Sequence, residues 1–198
     1  MRLETGSNSP INNKKVSIQV KLGGLSFSAH EVTLANSFDE IELIVDTPRV
    51  TLAPREEVSS DNASEILRLA GKVCHRNEQS VCSSLNSDIV AIMAIDSNAL
   101  ASIVAQWGER AYLTSPLLDM RHSEERCLTI DSSDKVCYIR YFDGGLLRAE
   151  AFDATTAEDI LHLVFSWLGN RKDIPIYIRS NREAIDLLRK YYKSVICE

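Results

Sequence analysis

The stretch from Arg126 to Phe152 constrains the fold more than any other. Three runs of extended character, Arg126 to Ile130, Val136 to Phe142 and Leu146 to Phe152, are separated by Asp131-Ser132-Ser133-Asp134 and by Asp143-Gly144-Gly145. Asp-Gly between extended runs is a strong hairpin signal, because a tight turn needs positive φ at its centre. The three runs therefore predict an antiparallel meander. Thr155 or Thr156 then caps a helix, and with Thr155 as the cap Glu158 falls three residues on and completes a capping box. Ile160, Leu161, Leu163, Val164 and Leu168 form its apolar stripe, and Gly169-Asn170 ends it. Ile174 to Ile178 reads as a strand. Asn181 caps a last helix that carries Ile185, Leu187, Leu188, Tyr191 and Tyr192.

The first half is less regular. Residues Met1 to Asn13 are polar and read as a loose tail. Val16 to Val20 alternates apolar and polar residues, Gly23-Gly24 follows, and Leu25 to Ala29 alternates again, which predicts a hairpin. Ile41 to Val45 is a further strand. Val50 to Leu52 is extended, after Pro48 and before Pro54. Asp61 or Asn62 caps a short helix over Ala63 to Ala70, and Gly71 ends it. Glu78 to Ser84 is a short strand. The run Ile89 to Ile95 is wholly apolar, which suits a strand buried on both faces. Asp96 or Ser97 then caps a helix that reaches Trp107, where Gly108 stops it. Leu113 to Leu118 contains a proline and reads as a short extended crossing.

The halves echo each other. Lys15-Val16 precedes Gly23-Gly24-Leu25 as Lys135-Val136 precedes Gly144-Gly145-Leu146, at an offset of about 120 residues. The second half runs β-β-β-α-β-α, the order of a ribonuclease H-like unit. The fold expected is thus α/β, with two tandem ribonuclease H-like units in the architecture of actin-like ATPases. The division expected is a tail over 1–14, a reduced first unit over 15–110 and a second unit over 111–198.

Several stretches resemble a bacterial family of uncharacterised proteins with an actin-like ATPase fold. They are Val16-Ser17-Ile18 with Gly24-Leu25-Ser26-Phe27, Ile41 to Pro54, Thr114-Ser115-Pro116-Leu117-Leu118, and Gly145-Leu146-Leu147 with Phe152 and Thr156 to Leu161. The resemblance spans Val16 to Val195 and implies no activity or catalytic residue. The chain departs from the family in one place: members have a further strand and a helix between the first hairpin and the strand at Ile41, where only Glu31 to Glu40 stands here. The first unit is therefore expected to be shortened, with a less covered sheet that invites a partner chain.

Composition narrows the chemistry. Lysine and arginine number 22 against 28 acidic residues, a net charge of −6, which argues against a nucleic-acid surface. No apolar run approaches the ~20 residues of a membrane span. The polar start carries no export segment, so the expected compartment is the cytoplasm. The five cysteines are Cys74, Cys82, Cys127, Cys137 and Cys197; none forms the close C-x-x-C pair of a structural zinc site, so free thiols and no metal are expected. His30, His75, His122 and His162 are scattered, and Glu124-Glu125 beside Arg121, His122 and Arg126 reads as a solvated loop. The basic residues Arg189 to Lys193 complement the dipole of the last helix.

Actin-like ATPases hold phosphates in glycine-rich hairpin turns and Mg²⁺ through acidic residues. The turn in that position here, Asp131 to Asp134, has no glycine, and Gly23-Gly24 has Lys21 nearby but no adjacent acid. The sequence therefore predicts a non-catalytic interaction or scaffold protein. No cofactor is expected, and either an unidentified protein or a second copy of the chain is the expected partner. The alternative is a divergent Mg-ATP-binding ATPase, with Asp131, Asp143, Gly144 and Gly145 as its candidate residues.

Overall fold

The computed structural model describes residues 15–21, 38–83, 87–133, 135–154, 156–179 and 181–198. The elements are β1 (Lys15–Lys21), β2 (Glu40–Asp46), β3 (Val50–Pro54), α1 (Ala63–Leu69), β4 (Glu78–Cys82), β5 (Ile89–Asp96), α2 (Ser97–Trp107) and β6 (Ala111–Thr114). The second half adds β7 (Arg126–Ser132), β8 (Val136–Asp143), β9 (Leu146–Asp153), α3 (Ala157–Leu168), β10 (Ile176–Arg179), α4 (Arg182–Leu188) and β11 (Val195–Cys197). A 3-10 turn, Pro116–Leu118, links the halves.

Three sheets result. The second half forms a five-stranded sheet in the order β11-β10-β7-β8-β9. Strands β7, β8 and β9 are the antiparallel meander the sequence predicts, while β10 pairs in parallel with β7, and β11 in parallel with β10. In the first half β1, β2 and β6 form an all-parallel sheet, and β3-β5-β4 an antiparallel one. The predicted strand Leu25 to Ala29, the Gly23-Gly24 turn and most of Glu31 to Glu40 lie outside the described residues.

The run Ile89 to Ile95 is buried on both faces, as its composition requires. Ala91, Met93 and Ile95 enter a core with Ile41, Leu43, Ile103 and Trp107. Val90, Ile92 and Ala94 enter a second core with Ala63 and Leu67. β8 is divided the same way. Cys137 and Ile139 face α3 and α4 in the core with Ile160, Val164 and Leu188, whereas Val136 and Tyr138 join the first-half core. One face of the five-stranded sheet is thus covered by its own helices and the other by the first half.

Local signals decide the helix ends. Asp96 caps α2 by accepting from the amides of Asn98 and Ala99 at 2.9 and 3.0 Å. Gly108, at φ +55°, and Gly169, at φ +56°, stop α2 and α3 in a conformation other residues resist. The capping box of α3 is built by Thr156 and Asp159, one residue later than the Thr155–Glu158 pairing. Thr156 Oγ1 accepts from the Asp159 amide at 3.1 Å, and the Asp159 carboxylate accepts from the Thr156 amide at 3.0 Å. α4 ends at Leu188, so Tyr191 and Tyr192 lie beyond it, and the chain turns to add β11 at the sheet edge. Leu113 to Leu118 divides into the end of β6 and the 3-10 turn. Thr156→Ala should lower stability by about 1 kcal/mol, a loss of roughly 2–4 °C in Tm on thermal unfolding followed by circular dichroism.

Candidate functional site

The halves meet at a cavity of about 430 Å³. Glu42 and Ile44 of β2, Thr114 of β6 and the segment Ser115 to Asp119 supply one wall; Asp131, Ser132, Ser133, Tyr138 and Arg179 supply the other. Asp131 and Arg179 stand at the carboxyl ends of the adjacent parallel strands β7 and β10, where register pairs them. Ligand crevices of open α/β sheets form at such strand ends.

Asp131 lies within β7, whose register places it opposite Tyr138, and not in the turn the sequence predicts. Arg140 reaches it from β8. Arg140 is only 2% exposed, yet it is a charged side chain on a face otherwise filled by Val136 and Tyr138. Burial of a cation is tolerable only with full pairing. Each arm of the guanidinium has a partner. Nε donates to Thr129 Oγ1 at 2.8 Å, one terminal nitrogen donates to the carbonyl oxygen of Pro116, and the other pairs with Asp131 Oδ2. Arg179 closes the arrangement from the open side, with Nη1 at 3.2 Å from Asp131 Oδ1. Burial raises the Asp131 carboxyl above the ordinary aspartate range; Arg140 pulls it down but does not fully offset that effect.

A second contact joins the halves beside it. The Tyr138 hydroxyl donates to Asp46 Oδ1 at 2.9 Å and accepts from the Thr47 amide at 2.8 Å. Ser133 Oγ donates to the same Asp46 oxygen at 3.1 Å. Burial, and then the adjacent Asp46 carboxylate, push the Tyr138 hydroxyl well up, so it stays a proton donor.

From Arg179 an ionic network runs outward. Its Nη2 lies 3.7 Å from Asp119 Oδ2 and 3.4 Å from Glu198 Oε2. Arg121 pairs with Asp119 at 2.7 Å and Glu198 at 3.3 Å. Burial works against the Asp119 carboxylate, but its hydrogen bonds from Arg121 prevail and hold it below the usual range.

The other candidate residues do not join this site. Asp143 pairs in register with Arg126, at the opposite end of β7 from Asp131. Five residues of strand separate those ends, about 17 Å. Asp143 makes a 3.5 Å ion pair with Arg126, and Gly144 and Gly145, at φ +67° and +154°, shape the hairpin there. The nucleotide set Asp131, Asp143, Gly144 and Gly145 is therefore not one constellation. The β7–β8 turn itself is closed, since the Ser133 amide donates to Val136 O at 2.9 Å. Asp134 and Gly23-Gly24 lie outside the described residues. Sequence reasoning missed Arg140, Tyr138 and Asp46, and the pairing of Arg179 with Asp131. The one available signal was Arg140 itself, a lone charge in an apolar strand.

The solvated-loop residues are also tied down. His122 contacts Glu125 at 2.9 Å and Glu198 at 2.6 Å, and its ring stacks on Tyr177 at 4.0 Å. Burial pushes the Cys127 thiol up to about 11 and the Cys137 thiol up to about 12, which leaves neither primed as a nucleophile.

A protein of Bacteroides thetaiotaomicron VPI-5482, described as having an actin-like ATPase fold and unknown function, superposes with a TM-score of 0.69. The match covers 94% of this chain and 91% of that one at 16% identity. The chain thus has the actin-like ATPase fold. It belongs to the family described as "Protein of unknown function (DUF3822)", whose model matches residues 27–195. More distant likenesses are the cytoplasmic domain of EpsL, an inner membrane component of the type II secretion system of Vibrio cholerae, and an AlfA filament bound to AMPPNP. The first has a TM-score of 0.47 at 11% identity, covering 83% and 81% of the two chains; the second 0.42 at 12%, covering 85% and 56%. No curated protein matches the chain. Among the described residues, no helix is long and apolar enough to cross a membrane.

Arg140→Met should cost about 3–5 kcal/mol, because a buried ion pair loses one partner. Tyr138→Phe should cost about 1–3 kcal/mol. Arg179→Met, on the open side, should cost no more than about 1 kcal/mol. Urea unfolding of the three variants gives the ranking.

Proposed function

We propose that this chain is a non-catalytic protein that works by holding a macromolecular partner, on an actin-like scaffold that does not turn over nucleotide. The observation that carries this reading is the Arg140–Asp131–Arg179 arrangement. Asp131 is the one candidate acid that reaches the cleft, and both its oxygens are engaged by guanidinium groups. A Mg²⁺ shell would have to displace those cations. Among the described residues, the cavity walls carry Glu42, Asp119 and Asp131 against Arg179, an acidic balance that opposes a triphosphate. The partner is a protein or a second copy of the chain.

The scaffold is two ribonuclease H-like units in tandem. The parallel set β1-β2-β6 matches the parallel set β7-β10-β11, with each first strand beside its fourth and the fourth beside its fifth. On this reading β6 is the last strand of the first unit, so the first unit runs to about residue 114. The segment β3 to α2 is then an insertion between its last two strands.

A second reading, nucleotide binding in the cleft, draws on the cavity at the carboxyl ends of β7 and β10. Thermal unfolding with Mg-ATP separates the two. A ligand at a hundredfold excess over its Kd adds about 2.7 kcal/mol, roughly 5–10 °C for a chain of this size. No shift is expected at millimolar Mg-ATP. A shift of that size, lost in Asp131→Ala, would overturn the non-catalytic reading.

A further inference from the structure

We propose that His122, Glu125 and Cys127 form a binding site for a divalent metal ion of the zinc type. One donor atom from each residue lies within 4.8 Å of the other two. Zinc bonds of about 2.0–2.3 Å to nitrogen, oxygen and sulfur place tetrahedral donors roughly 3.3–3.7 Å apart. The cluster reaches that spacing when the His122–Glu125 pair, at 2.9 Å, opens by roughly 0.5 Å and the Cys127 sulfur, within 4.8 Å, closes by about 1 Å. Its members differ in the freedom needed to do so. Cys127 is fully buried near the start of β7 and fixes the position of its sulfur, while Glu125 is exposed on the preceding turn and can swing.

The surrounding contacts point the ligands inward. His122 Nδ1 faces Glu125 Oε1, and Nε2 faces Glu198 Oε1. When Nε2 carries the proton and donates it to Glu198, the lone pair of Nδ1 is left towards Glu125. That is the carboxylate–histidine–metal relay seen around zinc ligands. Glu198 is itself held by Arg121 and Arg179 through its other oxygen. The Tyr177 hydroxyl donates to Glu125 Oε2 at 2.8 Å, leaving Oε1 for a metal, and the Tyr177 ring stacks on His122. Outer partners therefore orient His122, while the one bond from Tyr177 leaves Glu125 able to adjust on its exposed turn.

A nitrogen, an oxygen and a sulfur donor together select zinc over magnesium or calcium, which take oxygen. Binding replaces the Cys127 S–H bond with a sulfur–metal bond and releases one proton to solvent. Three protein ligands leave a fourth position for water. The spacing escapes a search for close cysteine pairs because only one cysteine contributes.

Cobalt(II) tests the site on the full chain, reduced and stripped with chelator. One equivalent should bind and give thiolate-to-cobalt absorption in the near ultraviolet, with tetrahedral bands in the visible, and zinc should displace it. Cys127→Ser should abolish the near-ultraviolet band, whereas Cys74→Ser, Cys82→Ser and Cys197→Ser should keep it. Tyr177→Phe should weaken binding about 10–100-fold. Absence of thiolate absorption at millimolar cobalt would overturn the proposal, as would a band that survives Cys127→Ser. Should that variant fail to fold, Glu125→Gln on the exposed turn decides: a weaker complex supports the site and an unchanged affinity overturns it.

Discussion

A guanidinium group with almost no exposed surface must be matched on every side, and Arg140 sets that requirement at the centre of this molecule. Its partners come from three places: β7 through Thr129 and Asp131, the linking 3-10 turn through the Pro116 carbonyl, and, by way of Asp131, Arg179 on β10. Without the linking turn packed against the sheet, the Pro116 carbonyl would be gone and the cation would face water. The pairing of that one side chain therefore links the internal order of the five-stranded sheet to the docking of the halves. Buried ion pairs contribute little net stability compared with apolar packing, but a wrong arrangement leaves a charge stranded. Arg140 thereby ties the linking turn to β7 and β8.

The same requirement shapes the cleft. Asp131 lines the cleft at the carboxyl end of β7, yet its two oxygens are turned to cations of the chain itself. Tyr138 and Asp46 close the neighbouring wall with a hydrogen bond between halves. The cleft remains as a space, but its polar groups are largely spent on joining its own walls.

Local features were readable from sequence, and long-range ones were not. The meander, the buried run Ile89 to Ile95, the Asp96 cap and the stops at Gly108 and Gly169 depend on neighbouring residues, so spacing and turn chemistry report them. The Thr155–Glu158 box was displaced by one residue because Thr156 and Asp159 offer the same chemistry. β11 was missed because Leu188 and Tyr192 lie four apart and continue the helical pattern, while the strand beyond has only three residues. Asp131 was read as part of a turn because Asp-Ser-Ser-Asp is polar. Its partner Arg140 lies nine residues on, across a register the sequence does not display. The cluster around His122 is unreadable for a similar reason: Tyr177 reaches it from β10 and Glu198 from the residue after β11, both far along the chain.

The contacts between the halves are unequal in kind. The second half offers side chains, Arg140 and Tyr138; two of the groups they meet, the Pro116 carbonyl in the linking turn and the Thr47 amide in the first half, are main chain. A carbonyl is present whatever residue occupies position 116, and an amide at position 47 survives any replacement but proline. One half thus carries the key in its sequence, while much of the lock belongs to the course of the backbone. Positions 47 and 116 are free to drift and still be met, whereas positions 138 and 140 are not.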